Sequence, residues 1–189
     1  NNKRKEMTQE HLQIARLKVA SRLGDEQLIM LGQYGKIPGI SGLIAGRLAN
    51  DYFRPAIYYC IDENLVRGSA RSIPQFNITD ALSKCSDLFY TYGGHSQAAG
   101  FVMDVSKLDE LENRLTVIAN QALKGMNLTP TLDIDIEASP VELVGETFKF
   151  LQLLGPHGQG NPTPVFLTRG AELIKVTYLG KNTKHLKIR

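Results

Sequence analysis

Cysteine is nearly absent from this chain of 189 residues, and histidine is hardly more common. Cys60 and Cys85 form no closely spaced pair, which argues against a disulfide scaffold, a redox motif or a zinc site and for two buried free thiols. No run of roughly 18 apolar residues occurs, and the opening NNKRKEMTQE lacks the apolar stretch of a secretion signal. A soluble, cytoplasmic protein with no membrane partner is expected. What is present is ordinary globular material: 42% hydrophobic and 22% charged residues, enough to bury the core of one large domain or two small ones.

The net charge of +3 is unevenly spread. Residues 104–156 carry nine acidic and four basic side chains, whereas residues 157–189 carry six Lys or Arg, one acid (Glu172) and two histidines. A basic tail of this kind attracts a polyanion such as nucleic acid, because neutralising phosphates releases condensed counterions. An ordinary solvated surface has the same composition.

Leu12, Ala15, Val19 and Leu23 recur at helical spacing after a potential cap at Thr8. This charged helix has no strand before it and is expected to be a connector, residues 1–27, behind a missing upstream domain. LIMLGQY reads as a strand, GKIPGISG as a glycine-rich turn, and Ile40, Leu43, Ile44, Leu48 and Tyr52 as a helix. AIYYCI and LVRGSARS read as neighbouring strands. A helix is expected over 78–90, capped by Asn77 and ended by Gly93 and Gly94, then a strand GFVMDV and a helix opened by Ser106 and Asp109. Residues 28–126 are therefore expected to form an α/β unit, a mixed sheet covered by helices. From 127 to 189 the pattern turns mostly β: TLDIDIE alternates strictly, VFLTR, ELIKVTYL and HLKIR follow, and Ser139, Pro140 and Glu142 open a helix expected to reach about Leu154.

Two stretches could carry chemistry. In YGGHSQAAGF, residues 92–101, Gly93 and Gly94 let another group approach the backbone beside His95, and exposed N–H donors suit phosphate oxygens. A helix C-cap followed by close packing explains the same residues. In GSARS, residues 68–72, Ser69 and Arg71 alternate along a strand and so share a side, where a hydroxyl and a planar guanidinium form a phosphate clamp. A surface arginine near a turn is the simpler account of that pair alone.

GSARS followed by YGGHSQAAGF resembles the DHHA1 domain, the accessory substrate-binding domain of the DHH phosphoesterases. PGISGLIAGRLANDYFRPAI and LLGPHGQGNPTPVF resemble stretches of the RecJ single-stranded-DNA-specific exonucleases, the second leading into their OB-fold. The pattern departs from that family at Lys36 and Ile37, where an aromatic residue and a histidine are usual, and at His157. The resemblance implies a C-terminal part of a 5′ to 3′ single-stranded-DNA exonuclease, inactive alone. Its Mn2+ or Mg2+ would be held by an N-terminal DHH domain of the same chain, and no Asp-His-His run is present here. No catalytic residue, metal site or cofactor is expected in these residues.

By the same resemblance, Ser69 and Arg71 hold a 5′-phosphate, with Gly93, Gly94 and His95 bordering the cleft. OB-folds bind single strands through a basic groove with aromatic platforms. Arg169, Lys175, Lys181, Lys184, Lys187 and Arg189 are the candidate cations and Tyr178 the candidate platform, in an OB-like unit of which four strands, not five, can be placed. Two alternatives stay open: an oligonucleotide or cyclic-dinucleotide phosphodiesterase, and a non-catalytic tRNA-binding module like that of alanyl-tRNA synthetases.

Overall fold

The structure, a computed structural model, describes residues 2–22, 24, 26–35, 39–158, 160–180 and 185–189. It divides into two units, Asn1–Pro130 and Thr131–Arg189. In the first, five strands form one mixed sheet in the order β1 (Ile29–Tyr34), β2 (Ala56–Asp62), β3 (Leu65–Arg71), β5 (Ala98–Asp104), β4 (Phe89–His95). β1 and β2 run parallel because the helix α2 (Ser41–Tyr52) crosses over between them, and every other neighbouring pair is antiparallel.

Alternate residues of each strand point to opposite faces, and both faces carry a core. On one, Ile57, Val66, Ala70, Phe101 and Met103 pack with α3 (Ile78–Ser83) and α4 (Leu108–Leu123). On the other, Ile29, Leu31, Ala56 and Tyr58 pack with α2 and with α1 (Asn2–Arg22), which adds Leu12, Ala15 and Val19. Leu23, read as the next residue of that stripe, lies outside the described residues, as do Lys36 and Ile37. Gly68 lies opposite Phe101 in the register, and a methyl group there would run into the Phe101 ring.

Several sequence expectations change. The helix begun at Ile78 ends at Ser83; a 3-10 turn spans Ser86–Leu88, and Phe89–His95 is a strand. Ile78, Leu82 and Cys85 do face the core, but the aromatic and β-branched run FYTY finds a partner in β5, and pairing overrides helical spacing. Asn77 caps as expected, accepting from the N–H groups of Thr79 and Asp80. Thr8 is no cap, since α1 begins six residues earlier at Asn2 and the Thr8 hydroxyl donates to the Arg4 carbonyl at 2.7 Å. Asp104 caps the 3-10 turn Val105–Lys107 that leads into α4, accepting from the Ser106 N–H and hydroxyl.

In the second unit, TLDIDIE forms a strand only at β6 (Ile136–Glu137), because β7 (Phe166–Leu167) offers two partners and no more. The capping box of Ser139 and Glu142 is present, yet it opens a 3-10 turn, Pro140–Leu143. Gly145, at φ 61°, separates this turn from α5 (Glu146–Leu153) and divides the expected single helix. β8 (Val176–Leu179) and β9 (His185–Ile188) form an antiparallel pair. Among the described residues, no helix is long and apolar enough to cross a membrane.

Candidate nucleic-acid interface

The register of the first sheet brings the two singled-out stretches onto one face. Arg71 pairs with Ala98 and Ala98 with His95; Ser69 pairs with Gly100 and Gly100 with Gly93. Residues directly opposite in an antiparallel ladder project to the same side, so Arg71, Ala98 and His95 form one row and Ser69, Gly100 and Gly93 the next. At about 4.8 Å per strand, Arg71 and His95 stand about 10 Å apart. The floor between them is alanine and glycine.

This is the face that α2 covers over β2 and β3, with α1 against β1, and that stays open over β5 and β4. Residues 91–97 are exposed, and Ser69 and Arg71 are half-buried. Arg71 lies along α2: its guanidinium approaches Gly42 in the first turn, where an added methyl would sit 3.0 Å from Nη2, and its stem passes Gly46. Nη1 donates to the Ala70 carbonyl at 2.8 Å, and among the described residues no carboxylate pairs with it. α2 begins without a side-chain cap. An anion at this point would therefore meet an unneutralised guanidinium and the positive end of a helix dipole together. Beside Ser69 across the ladder, Tyr58 is buried and donates to the Gln33 side chain at 3.0 Å. Burial, and secondarily Cys60, raises its phenol above the ordinary value, so it adds no negative charge beneath the site.

Gly94 lies on the opposite side of the strand from Gly93 and His95, against the β5 backbone at Ala98 and Ala99. Its φ of 153° is one that side chains rarely adopt, and a methyl group there would collide with the Ala98 carbonyl. It shapes the strand, and Gly93 and His95 face the opening. Three bonds tie the tip between β4 and β5 to the segment after Arg71. The Ser72 N–H donates to the Gln97 carbonyl at 3.0 Å, the Ile78 N–H to Ser96 at 2.9 Å, and the Thr79 hydroxyl to His95 at 2.7 Å. Thr79, Gly42 and Gly46 were not singled out in the sequence. The glycines at i, i+4 on α2 were the visible signal, while Thr79 gave none, because its partner is fixed only by the register.

The cations of the second unit are less united. Arg169 pairs with Glu137 at 3.0 Å. Lys181 and Lys184 lie outside the described residues. Lys175 and Arg189 exchange both backbone bonds at 2.9 Å, and Thr177 faces Lys187 two residues further along, so Lys175, Lys187 and Arg189 share one face of the hairpin. Tyr178, opposite Leu186, lies on the other face with Val176 and Ile188. Odd and even positions in the sequence already carried that separation.

Among known proteins, the DHHA1 domain family matches residues 18–121 and the RecJ OB domain family residues 134–189. The chain is 34% identical over 166 residues to the single-stranded-DNA-specific exonuclease RecJ of Bacillus subtilis, across 87% of this chain and 21% of that protein. It is 33% identical over 134 residues to RecJ of Thermus thermophilus, across 71% of this chain and 19% of that protein. The crystal structure of Thermus thermophilus RecJ in complex with Mg2+ is similar to the whole chain, with a TM-score of 0.79, 27% identity and 29% of its own length covered. The chain thus spans about a fifth to a quarter of the length of the curated relatives it matches.

Proposed function

The chain belongs to the DHHA1 family and continues into a RecJ OB domain, and on that premise we propose that it is the strand-holding part of a RecJ-type single-stranded-DNA exonuclease. In this reading Arg71 presents its planar fork to the terminal 5′-phosphate, and Ser69 donates a third hydrogen bond. His95 stands across the bare floor of Ala98 and Gly100 as a second polar contact to the phosphodiester, while Gly93 keeps the approach clear. Lys175, Lys187 and Arg189 attract the backbone further along the strand. Among the described residues, no group of three or more His, Cys, Asp or Glu side chains could hold a metal ion. The hydrolytic step, its Mn2+ or Mg2+ and the DHH domain that would hold the metal are assigned to sequence outside this chain. Alone, the chain binds and does not cut.

The observation that carries this reading is the single open row from Arg71 across Ala98 to His95. The OB family match from residue 134 favours it over a short-oligonucleotide or cyclic-dinucleotide phosphodiesterase and over a tRNA-binding module. The test is binding of 5′-phosphorylated and 5′-hydroxyl oligonucleotides. Removing hydrogen bonds to a charged group costs about 1.5–3 kcal/mol, so Arg71→Ala should weaken binding of the phosphorylated strand roughly 10- to 100-fold and leave the hydroxyl strand nearly unchanged. Equal binding of both strands by the unaltered chain would end the proposal.

A further inference from the structure

A second charged feature of the first unit lies on the opposite flank of α2 from Arg71. α1 and α2 flank a groove of about 740 Å³ whose lining, among the described residues, includes Arg4, Lys5, Arg16 and Arg47 and no acid. Two of these cations build the walls. Arg4 Nη2 donates to the Gly39 carbonyl at 2.7 Å, fastening α1 to the turn before α2, and Arg16 pairs with Asp51 at the far end of α2 at 2.6 Å. Lys5 and Arg47 are exposed and, among the described residues, have no carboxylate partner. Gln9 and Gln13 offer neutral donors and acceptors between them.

We infer that this groove is a backbone track for single-stranded nucleic acid. Two features favour a nucleic-acid strand over an acidic protein segment. Among the described residues, the cations without a carboxylate partner come from both walls, Arg4 and Lys5 on α1 and Arg47 on α2, so positive charge flanks the groove on two sides, which suits a phosphate backbone lying in it better than a single carboxylate cluster. The groove also shares the first turns of α2 with the phosphate site: Leu43 and Arg47 line it, while Gly42 and Gly46, one residue before each, abut Arg71. Among the described residues no aromatic side chain lines it, so it reads charge without stacking and contributes salt-dependent affinity with no base preference.

The inference rests on the strand-holding function proposed above, and the experiment separates the two. Fluorescent oligothymidylate, with and without a 5′-phosphate, is titrated against the 189-residue chain over a series of salt concentrations. Each phosphate contact contributes about 0.7 to the slope of log K against log salt for a single strand. Lys5→Gln with Arg47→Gln should therefore lower that slope by about 1.4 and leave the preference for a phosphorylated end intact. Arg71→Ala should abolish that preference: if it leaves the preference intact, the phosphate site is wrong while the groove stands or falls on its own slope. Lys84→Gln with Lys124→Gln, two exposed cations outside the groove, controls for general charge and should leave the slope unchanged. An unaltered slope in the Lys5 and Arg47 variant, or an equal drop in the control, overturns the inference. Tighter binding of polyglutamate of matched charge, abolished by the same variant, would assign the groove to an acidic protein and overturn it too.

Discussion

Leu111 and Leu115 on α4 have no exposed surface, while Leu153 at the end of α5 is 76% exposed and Ile174 is 74% exposed. Among the described residues every buried hydrophobic side chain lies at or before Leu123, and none of 131–189 is buried. The two units draw on the same apolar residue types, so composition does not separate them. Ladder length does. β2, β3 and β5 pair over seven residues each, and β2 and β3 receive helices on both faces, whereas β6 and β7 share two residues and β8 and β9 four. An apolar side chain becomes core only where enough neighbours arrive to exclude water from all sides.

That contrast can be broken most directly by truncation. Leu115→Ala should cost about 2–5 kcal/mol in denaturant melts, because it leaves a cavity in a packed core. Leu153→Ala should stay within about 0.5 kcal/mol. Equal costs would mean that the second unit buries its apolar face after all. A smaller effect sharpens the picture inside the first unit: Gly94→Ala, forced into a backbone conformation side chains rarely adopt and against the Ala98 carbonyl, should cost about 1–3 kcal/mol in the same melts. It should also weaken oligonucleotide binding by displacing His95, and full stability with full binding would contradict the geometry.

The smallest expected effect is electrostatic. The Ser106 hydroxyl and N–H, in that order, hold the Asp104 carboxyl below its ordinary range. The folded state thus binds this proton less readily than the unfolded one. Its contribution is present above the ordinary carboxylate value and is lost as pH falls through the lowered one. Thermal melts below about pH 4 should show a shallower acid loss for Asp104→Ala than for the unaltered chain. An identical pH dependence would show that the cap carries no linkage.

Much of the site was legible residue by residue. Ser69 and Arg71 share a face because strands alternate, and the Asn77 cap follows from side-chain chemistry next to a helix start. The opposed faces of Lys175 and Tyr178 could have been read by the same parity. The helix expected to run through Phe89 failed because Ile78, Leu82, Cys85 and Phe89 fit a helical stripe as well as they fit a short helix, a turn and a strand.

Local alternation, spacing and capping are written among near neighbours, and these determined which segments are strands, which are helices, and where the bare glycines and lone cations fall. Only the tertiary structure decided that β5 lies between β3 and β4, that Arg71 and His95 stand in one row, and that α1 and α2 close a basic groove. Those outcomes depend on pairing between distant segments, where register and burial are settled by which surfaces exclude water together and not by any window of adjacent residues.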